Sequence, residues 1–208
     1  MVSGNNVCSY TQPDTPVLHK TLLAQIAQGS EPALEALYTL FKSRVYNTAL
    51  SYLQNTEEAE EVTQDVFVNI FRAAARFEGK SSVSTWIYRI TVNQSLDRLN
   101  HRKRQKRFGL LVDFFGGNPA EPATDLPHFD HPGVVLEQKE NARILFQAIE
   151  SLPDQQKTAF ILSFIEDLPR QEVAGVMQIS LKAVESLLQR AKTNLRKRLD
   201  NFFPDRRI

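Results

Sequence analysis

Glu166-Asp167-Leu168-Pro169-Arg170-Gln171-Glu172-Val173-Ala174-Gly175-Val176-Met177-Gln178-Ile179-Ser180-Leu181-Lys182-Ala183-Val184-Glu185-Ser186-Leu187-Leu188-Gln189-Arg190-Ala191 is the stretch on which the fold turns. Proline is at home in the first turn of a helix, where its missing N–H would have no partner anyway, so Pro169 marks a start. Ser180 offers a hydroxyl oxygen to the free amides of a second helix. A short helix, a tight turn and a longer helix form a helix-turn-helix pattern. In the longer helix Val184, Leu187, Leu188, Ala191, Leu195 and Leu199 make one apolar stripe. Lys182, Ser186, Gln189, Arg190 and Thr193 must then project from the other side. These residue types contact bases and phosphates in a DNA groove, and they gather toward the N-terminal half, where a recognition helix meets base edges. A helical hairpin with a solvated outer face shares the same spacing, so the pattern alone leaves both readings open.

Charge patterning favours DNA. The total is nearly neutral, 25 Lys+Arg against 24 Asp+Glu. By segment, residues 1–108 carry 13 basic and 10 acidic residues, 135–208 carry 12 and 10, and 109–134 carry 0 and 4. Arg89, Arg98, Arg102, Lys103, Arg104, Lys106 and Arg107 cluster against Asp97 alone, and Arg190, Lys192, Arg196, Lys197 and Arg198 stand unopposed in sequence. Such clusters release counterions on meeting phosphates. Each alone could equally be a helix end whose cations complement the helix dipole, but two clusters in comparable places tip the balance.

Between them, residues 109–133 hold Pro119, Pro122, Pro127 and Pro132 with Gly109, Gly116, Gly117 and Gly133. Helices are not expected to run through this segment. Elsewhere apolar residues recur at helical spacing, with no alternating run that demands a sheet. The expectation is an all-α chain: a mobile N-terminal tail at 1–16, a helical domain at 17–108, a flexible acidic linker at 109–134 and a second helical domain at 135–208. The linker also holds Leu110, Leu111, Val112, Phe114 and Phe115, an apolar cluster expected to pack on one domain or to join the two.

In the first domain Leu22, Leu23 and Ile26 suggest one helix, Ala33 to Tyr52 a second and Glu57 to Phe77 a third. Asn55 or Thr56 can cap the third, and Glu57, Glu58, Glu60 and Glu61 complement its positive end. Its buried side is expected to carry Ala59, Val62, Val66, Phe67, Ile70, Phe71 and Ala74, leaving Glu61, Gln64, Asp65, Val68 and Arg72 outside. Val68 among acidic neighbours could belong to a protein-docking face, although a single exposed valine needs no explanation. Next, Phe77-Glu78-Gly79-Lys80-Ser81-Ser82-Val83-Ser84-Thr85-Trp86-Ile87-Tyr88-Arg89-Ile90 is a small polar loop entering a helix that Ser84 is positioned to cap. Aromatics beside cations stack on unpaired bases, each worth about 1–3 kcal/mol, which suits opened DNA; Trp86 and Tyr88 could equally be core. On a helical wheel Trp86, Arg89, Asn93, Asp97 and Asn100 share a face.

Composition excludes several classes. The chain is 42% apolar and 24% charged, with no apolar run of membrane-spanning length, so no membrane insertion is expected. No secretory leader is apparent, and a single cysteine, Cys8, cannot form an internal disulfide, which together suggest a cytoplasmic location. No Gly-rich phosphate loop, nucleophile–base pair or cysteine cluster points to catalysis or to a cofactor. His128-Phe129-Asp130-His131 is the only metal-like grouping, and two histidines in a Pro-rich linker are ordinarily solvated.

Taken in order, Glu58-Ala59-Glu60-Glu61-Val62-Thr63-Gln64-Asp65-Val66-Phe67, Ser84-Thr85-Trp86-Ile87-Tyr88-Arg89-Ile90 with Asn93 and Asp97, Leu152-Pro153 and the helix-turn-helix resemble a sigma factor of the extracytoplasmic-function (ECF) group. The resemblance covers about residues 18–203. It implies two helical modules, regions 2 and 4, that bind core RNA polymerase and direct it to promoters. Glu61, Gln64, Asp65 and Val68 would dock on the clamp helices of the largest subunit. Phe77, Lys80, Ser81, Ser82, Trp86, Arg89 and Asn93 would open and read the minus-10 element. Lys182, Ser186, Gln189, Arg190 and Thr193 would read the minus-35 element as duplex. An anti-sigma factor is the further partner the family implies. Glu185 departs from a purely phosphate-friendly face and would need to accept a hydrogen bond from cytosine. The alternatives are a free-standing helix-turn-helix regulator and a helical adaptor that binds only protein.

Overall fold

The computed structural model describes the backbone of residues 16–115 and 136–200 and, within these, the side chains of 16–105 and 141–200. Every described element is helical: α1 (Pro16–Ile26), α2 (Glu31–Leu53), α3 (Thr56–Ala73) with a closing 3-10 turn (Ala74–Arg76), α4 (Val83–Phe115), α5 (Leu136–Glu150), α6 (Asp154–Phe160) running into a π turn (Ile161–Ile165), α7 (Arg170–Met177) and α8 (Leu181–Leu199). The first four make one bundle and the last four a second.

The ends of the first-bundle helices follow from local chemistry. Ser30 accepts the Ala33 amide at 3.4 Å, and Pro32 sits where a missing N–H costs nothing. Gln54 closes α2 in the left-handed region, φ 53°, and its side-chain amide donates to Leu50 O at 3.1 Å and Ser51 O at 3.0 Å. Asn55, rather than Thr56, caps α3, its Oδ1 accepting the Glu58 amide at 2.9 Å. Between α2, α3 and α4 the core holds Leu37, Phe41, Val45, Ala49, Val62, Val66, Ile70, Ile87 and Leu99. The buried side of α3 is as expected with one exception. Phe71 is 44% exposed, because with Val68 it passes beyond the contact line and forms an open apolar shelf beside Leu34 and Tyr38 of α2.

Two expectations for α4 change. Its N-terminal cap is Ser82, not Ser84: Ser82 Oγ accepts the Thr85 amide at 3.0 Å and lies 2.8 Å from the Thr85 hydroxyl. The helix also continues past residue 108 through Gly109 to Phe115. A lone glycine costs a helix about 1 kcal/mol, too little to break one already running, and the first proline comes only at Pro119. Pro119 and the rest of the expected linker, His128 and His131 included, lie outside the described residues, as do the side chains of Leu110, Leu111, Val112, Phe114 and Phe115 and the tail at 1–15.

In the second bundle α8 lies across α5, α6 and α7 and buries Val184, Leu188, Ala191 and Leu195. Leu152 is buried just before the proline that opens α6. The helix-turn-helix forms as read: Pro169 precedes α7, Gln178 turns in the left-handed region at φ 56°, and Ser180 Oγ accepts the Ala183 amide at 3.2 Å. The two bundles touch, with α7 lying against α4.

Replacing Phe41, 1% exposed, by alanine should cost about 3–5 kcal/mol and Asn55→Ala about 1 kcal/mol in thermal or urea unfolding. A loss at Asn55 as large as that at Phe41 would contradict this division between core and cap.

Candidate nucleic-acid interface

An open groove of about 1080 Å³ runs between α3 and α4. Asp65 and Val68 line it from α3, Trp86 and Asn93 from α4. Residues expected to dock a protein and residues expected to meet opened DNA therefore share one channel. Glu61 stands at the edge and accepts from Arg98 at 2.5 Å. Gln64 does not join them; it faces the other side of α3, near Tyr38, Lys42 and Tyr46. Arg72, read as outward-facing, and Arg104, read as part of the basic cluster, also line the groove with Arg76, although none of the three was assigned to a site from the sequence. For Arg104 the signal was available, since Asn93, Asp97, His101 and Arg104 form an i, i+4, i+8, i+11 stripe on α4.

Trp86 is half-buried, its ring 5.3 Å from Phe77 and tilted by 57°. It thus touches Phe77 and still lines the groove, whereas Tyr88, offered as its equal, is buried. The loop between them turns at Gly79, where φ is +71° and a side chain would be strained. Lys80 in this loop pairs with Glu78. Ser82 spends its hydroxyl on the α4 cap. Lys80, Ser81 and Ser82 border a second cleft, whose far wall is Glu166, Leu168, Pro169 and Glu172 of the second bundle.

Arg89 departs most from expectation. Its guanidinium donates to Gly175 O at 2.8 Å and Val176 O at 3.4 Å, so it caps the end of α7 and does not join Trp86 in the groove. The basic run on α4 is likewise less free than its sequence neighbours suggest. Arg98 pairs with Glu58 at 3.3 Å as well as with Glu61, and Arg102 contacts Glu58 at 3.3 Å, Leu53 O at 3.3 Å and Glu150 at 3.5 Å. Lys103 lies 3.8 Å from Asp154. The carboxylates come from α3, α5 and α6, which a local charge count cannot see.

On the helix-turn-helix, Lys182, Gln189, Arg190 and Thr193 are exposed and Ser186 is half-buried, all on the side away from the core. Thr193 donates back to Gln189 O at 3.0 Å. Glu185 has a partner of its own, Arg170 at 3.8 Å, which softens its repulsion of phosphate. Lys192 sits over the Phe164 ring at 4.7 Å.

Glu166 lies between the bundles, and burial pushes its carboxyl up to about 7, against the pull of the Thr48 and Tyr88 hydroxyls and the Arg44 charge. Burial pushes the Tyr88 and Tyr52 phenols up, and it pushes Lys157 down, with help from the Lys103 charge. Among the described residues no group of three or more His, Cys, Asp or Glu could hold a metal, and no helix is long and apolar enough to cross a membrane.

Fold and site define a class: a two-module helical protein with a helix-turn-helix in one module and an aromatic, cation-lined groove in the other. Comparison with known proteins narrows it. The family description "Sigma-70 region 2" matches residues 37–105 and "Sigma-70, region 4" matches 142–195. The ECF RNA polymerase sigma factor SigW of Bacillus subtilis is 27% identical over 184 residues, covering 86% of this chain and 96% of that protein. The sigma-H factor of Pseudomonas aeruginosa is 27% identical over 182 residues, 86% of this chain and 92% of that protein. Among solved structures, CnrH in complex with the cytosolic domain of CnrY superposes with a TM-score of 0.62 at 23% identity, over 88% of this chain and 98% of that one. The sigma factor RpoE of Bartonella quintana, in complex with the anti-sigma factor NepR, gives 0.57 at 18% identity, over 80% and 96%. The chain belongs to the sigma-70 family, in its ECF group. It is an RNA polymerase sigma factor that binds core enzyme and directs promoter-specific initiation, and the match of both modules disfavours a free-standing regulator.

Because a buried Glu166 favours its protonated form, its burial is unpenalised below the ordinary carboxyl range near 4.5, and the penalty grows until the pH passes about 7. Wild type should therefore lose up to about 3 kcal/mol relative to Glu166→Gln across that window and no more above it. Unfolding of the two proteins as a function of pH checks the sign; a difference that is flat with pH would refute it.

Proposed function

We propose that the α3–α4 groove is where this sigma factor brings polymerase and opened promoter together. Asp65 and Val68, with Glu61 at the edge and Gln64 on the adjoining side of α3, contact the clamp helices of the largest subunit. Trp86, held against Phe77 and lining the groove, receives an unpaired minus-10 base, while Asn93 reads it and Lys80 and Ser81 guide the strand. Ser82 acts through the α4 cap, and Arg89 joins only once it leaves the α7 carbonyls. Lys182, Ser186, Gln189, Arg190 and Thr193 read the minus-35 element in the major groove. Helices α1–α4 and α5–α8 are the two working modules, and the chain that follows Phe115 tethers them. The chain supplies no chemistry of its own and works in the cytoplasm, where polymerase is.

One observation carries this reading: Asp65 and Val68 line the same groove as Trp86 and Asn93, so a docked polymerase would hold DNA where the aromatic ring is. An anti-sigma factor as regulator is supported by the RpoE structure of similar fold, which is a complex with one.

Reconstitution with core enzyme, on a promoter selected by iterative enrichment with the holoenzyme, should yield run-off transcripts that require this chain. Trp86→Ala should lower strand opening by about 1–3 kcal/mol with little change in polymerase affinity, whereas Val68→Asp should do the reverse. Equal loss of opening and association in Trp86→Ala would place that ring in the core and sink its role as a base platform.

A further inference from the structure

Helix α8 carries six cations, Lys182, Arg190, Lys192, Arg196, Lys197 and Arg198, and one carboxylate, Glu185. That carboxylate is exposed on the outward face, between Lys182 three residues before it and Gln189 four residues after it, clear of the buried stripe of Val184, Leu188, Ala191 and Leu195. Two ordinary reasons for an acid on a helix do not cover it. Glu185 is the fifth residue of α8, past the first turn in which the helix dipole favours a carboxylate. Its salt bridge runs to another helix, to Arg170 of α7 at 3.8 Å, with the two side chains 52% and 57% exposed, and a pair so solvated adds little stability. In a groove walled by phosphates a lone carboxylate weakens binding to every sequence unless a base edge gives it a donor.

We propose that Glu185 specifies a cytosine in the minus-35 element, and that Arg170 is its positioning residue. The inference rests on the assignment of α8 to duplex DNA made above. In the major groove guanine presents two acceptors, thymine an acceptor and a methyl group, adenine a donor beside an acceptor, and cytosine a donor alone. A carboxylate only accepts, so cytosine is the one base whose edge gives it a hydrogen bond without repulsion. Arg170 begins the first helix of the helix-turn-helix, the one that crosses the DNA backbone in this motif. A guanidinium has five N–H donors in a fixed fork, so Arg170 can hold the Glu185 carboxylate with one edge and turn another to a phosphate. That bridge offsets the charge of the carboxylate as it enters the groove and limits the directions it can take. Lys182 and Gln189, one turn away on either side, are left to contact neighbouring bases.

Holoenzyme reconstituted with the full-length chain, wild type or Glu185→Gln, can be used to enrich duplexes randomised across the minus-35 region. Wild type should favour cytosine at one position by at least about fivefold. Glu185→Gln, an exposed substitution that keeps the side-chain shape, should prefer adenine there, because a glutamine amide binds adenine N6 and N7 together. Its choices at the other positions should stay as in wild type. Each protein should give more run-off transcript on its own enriched element, and activity of Glu185→Gln on the adenine element shows that the variant is folded. Arg170→Gln should lower the cytosine preference at least about twofold and leave the adenine preference of Glu185→Gln unmoved, a pattern that loss of a phosphate contact alone does not produce. Selection of the same base by wild type and Glu185→Gln would overturn the proposal, and an equal effect of Arg170→Gln in both backgrounds would remove Arg170 from it. If wild-type holoenzyme enriched no minus-35 sequence at all, the assignment of α8 to duplex DNA would fail and the inference with it, which separates the two outcomes.

Discussion

Helix α4 has to satisfy three neighbours at once, and the rest of the structure is arranged around that demand. One face buries Val83, Ile87, Val92 and Leu99 against the other helices of the first bundle. Each fully buried side chain of this kind contributes about 1.5–3 kcal/mol, so this face sets the helix's rotation. Thr91 and Ser95 lie on the same buried strip and are tolerated because each returns its hydroxyl proton to a carbonyl one turn back, at 2.9 and 2.8 Å. With the rotation set, Trp86 and Asn93 fall into the groove while Arg89, one step around, points at α7.

The electrostatics follow from the same geometry. Glu58 accepts from both Arg98 and Arg102, and Glu61 adds a second carboxylate to Arg98. The acidic first turns of α3 thereby do two jobs: they meet the helix dipole and they pin α4 alongside. Pairs this exposed contribute little each, about 0–1 kcal/mol, so their role is to set register more than to hold the bundle together. The groove then shows Arg72, Arg76 and Arg104 alongside Asp65 and Asp97, a surface of mixed charge.

Sequence periodicity made much of this legible. The helix-turn-helix could be read from Pro169, Ser180 and a single apolar stripe, because caps and amphipathic spacing are local and need no partner. The exposed side of α3 was legible for the same reason. Phe71 was not, since its burial depends on where α2 ends its contact with α3, which no spacing within α3 encodes. The end of α4 was misread because glycine and proline were weighed together, although only proline forbids a helix.

By itself the amino-acid sequence determined the all-helical class, the two modules, the outward face of α8 and the candidate residues for DNA and polymerase, because these rest on interactions within a few residues along the chain. Only the tertiary structure decided which candidates are free to act. Arg89 is held by carbonyls 86 and 87 residues away, and Arg102 by a carboxylate 48 residues away. Charges so distant in sequence become neighbours only when the bundles meet, and that meeting is chosen by the shape of their surfaces, which no local pattern records.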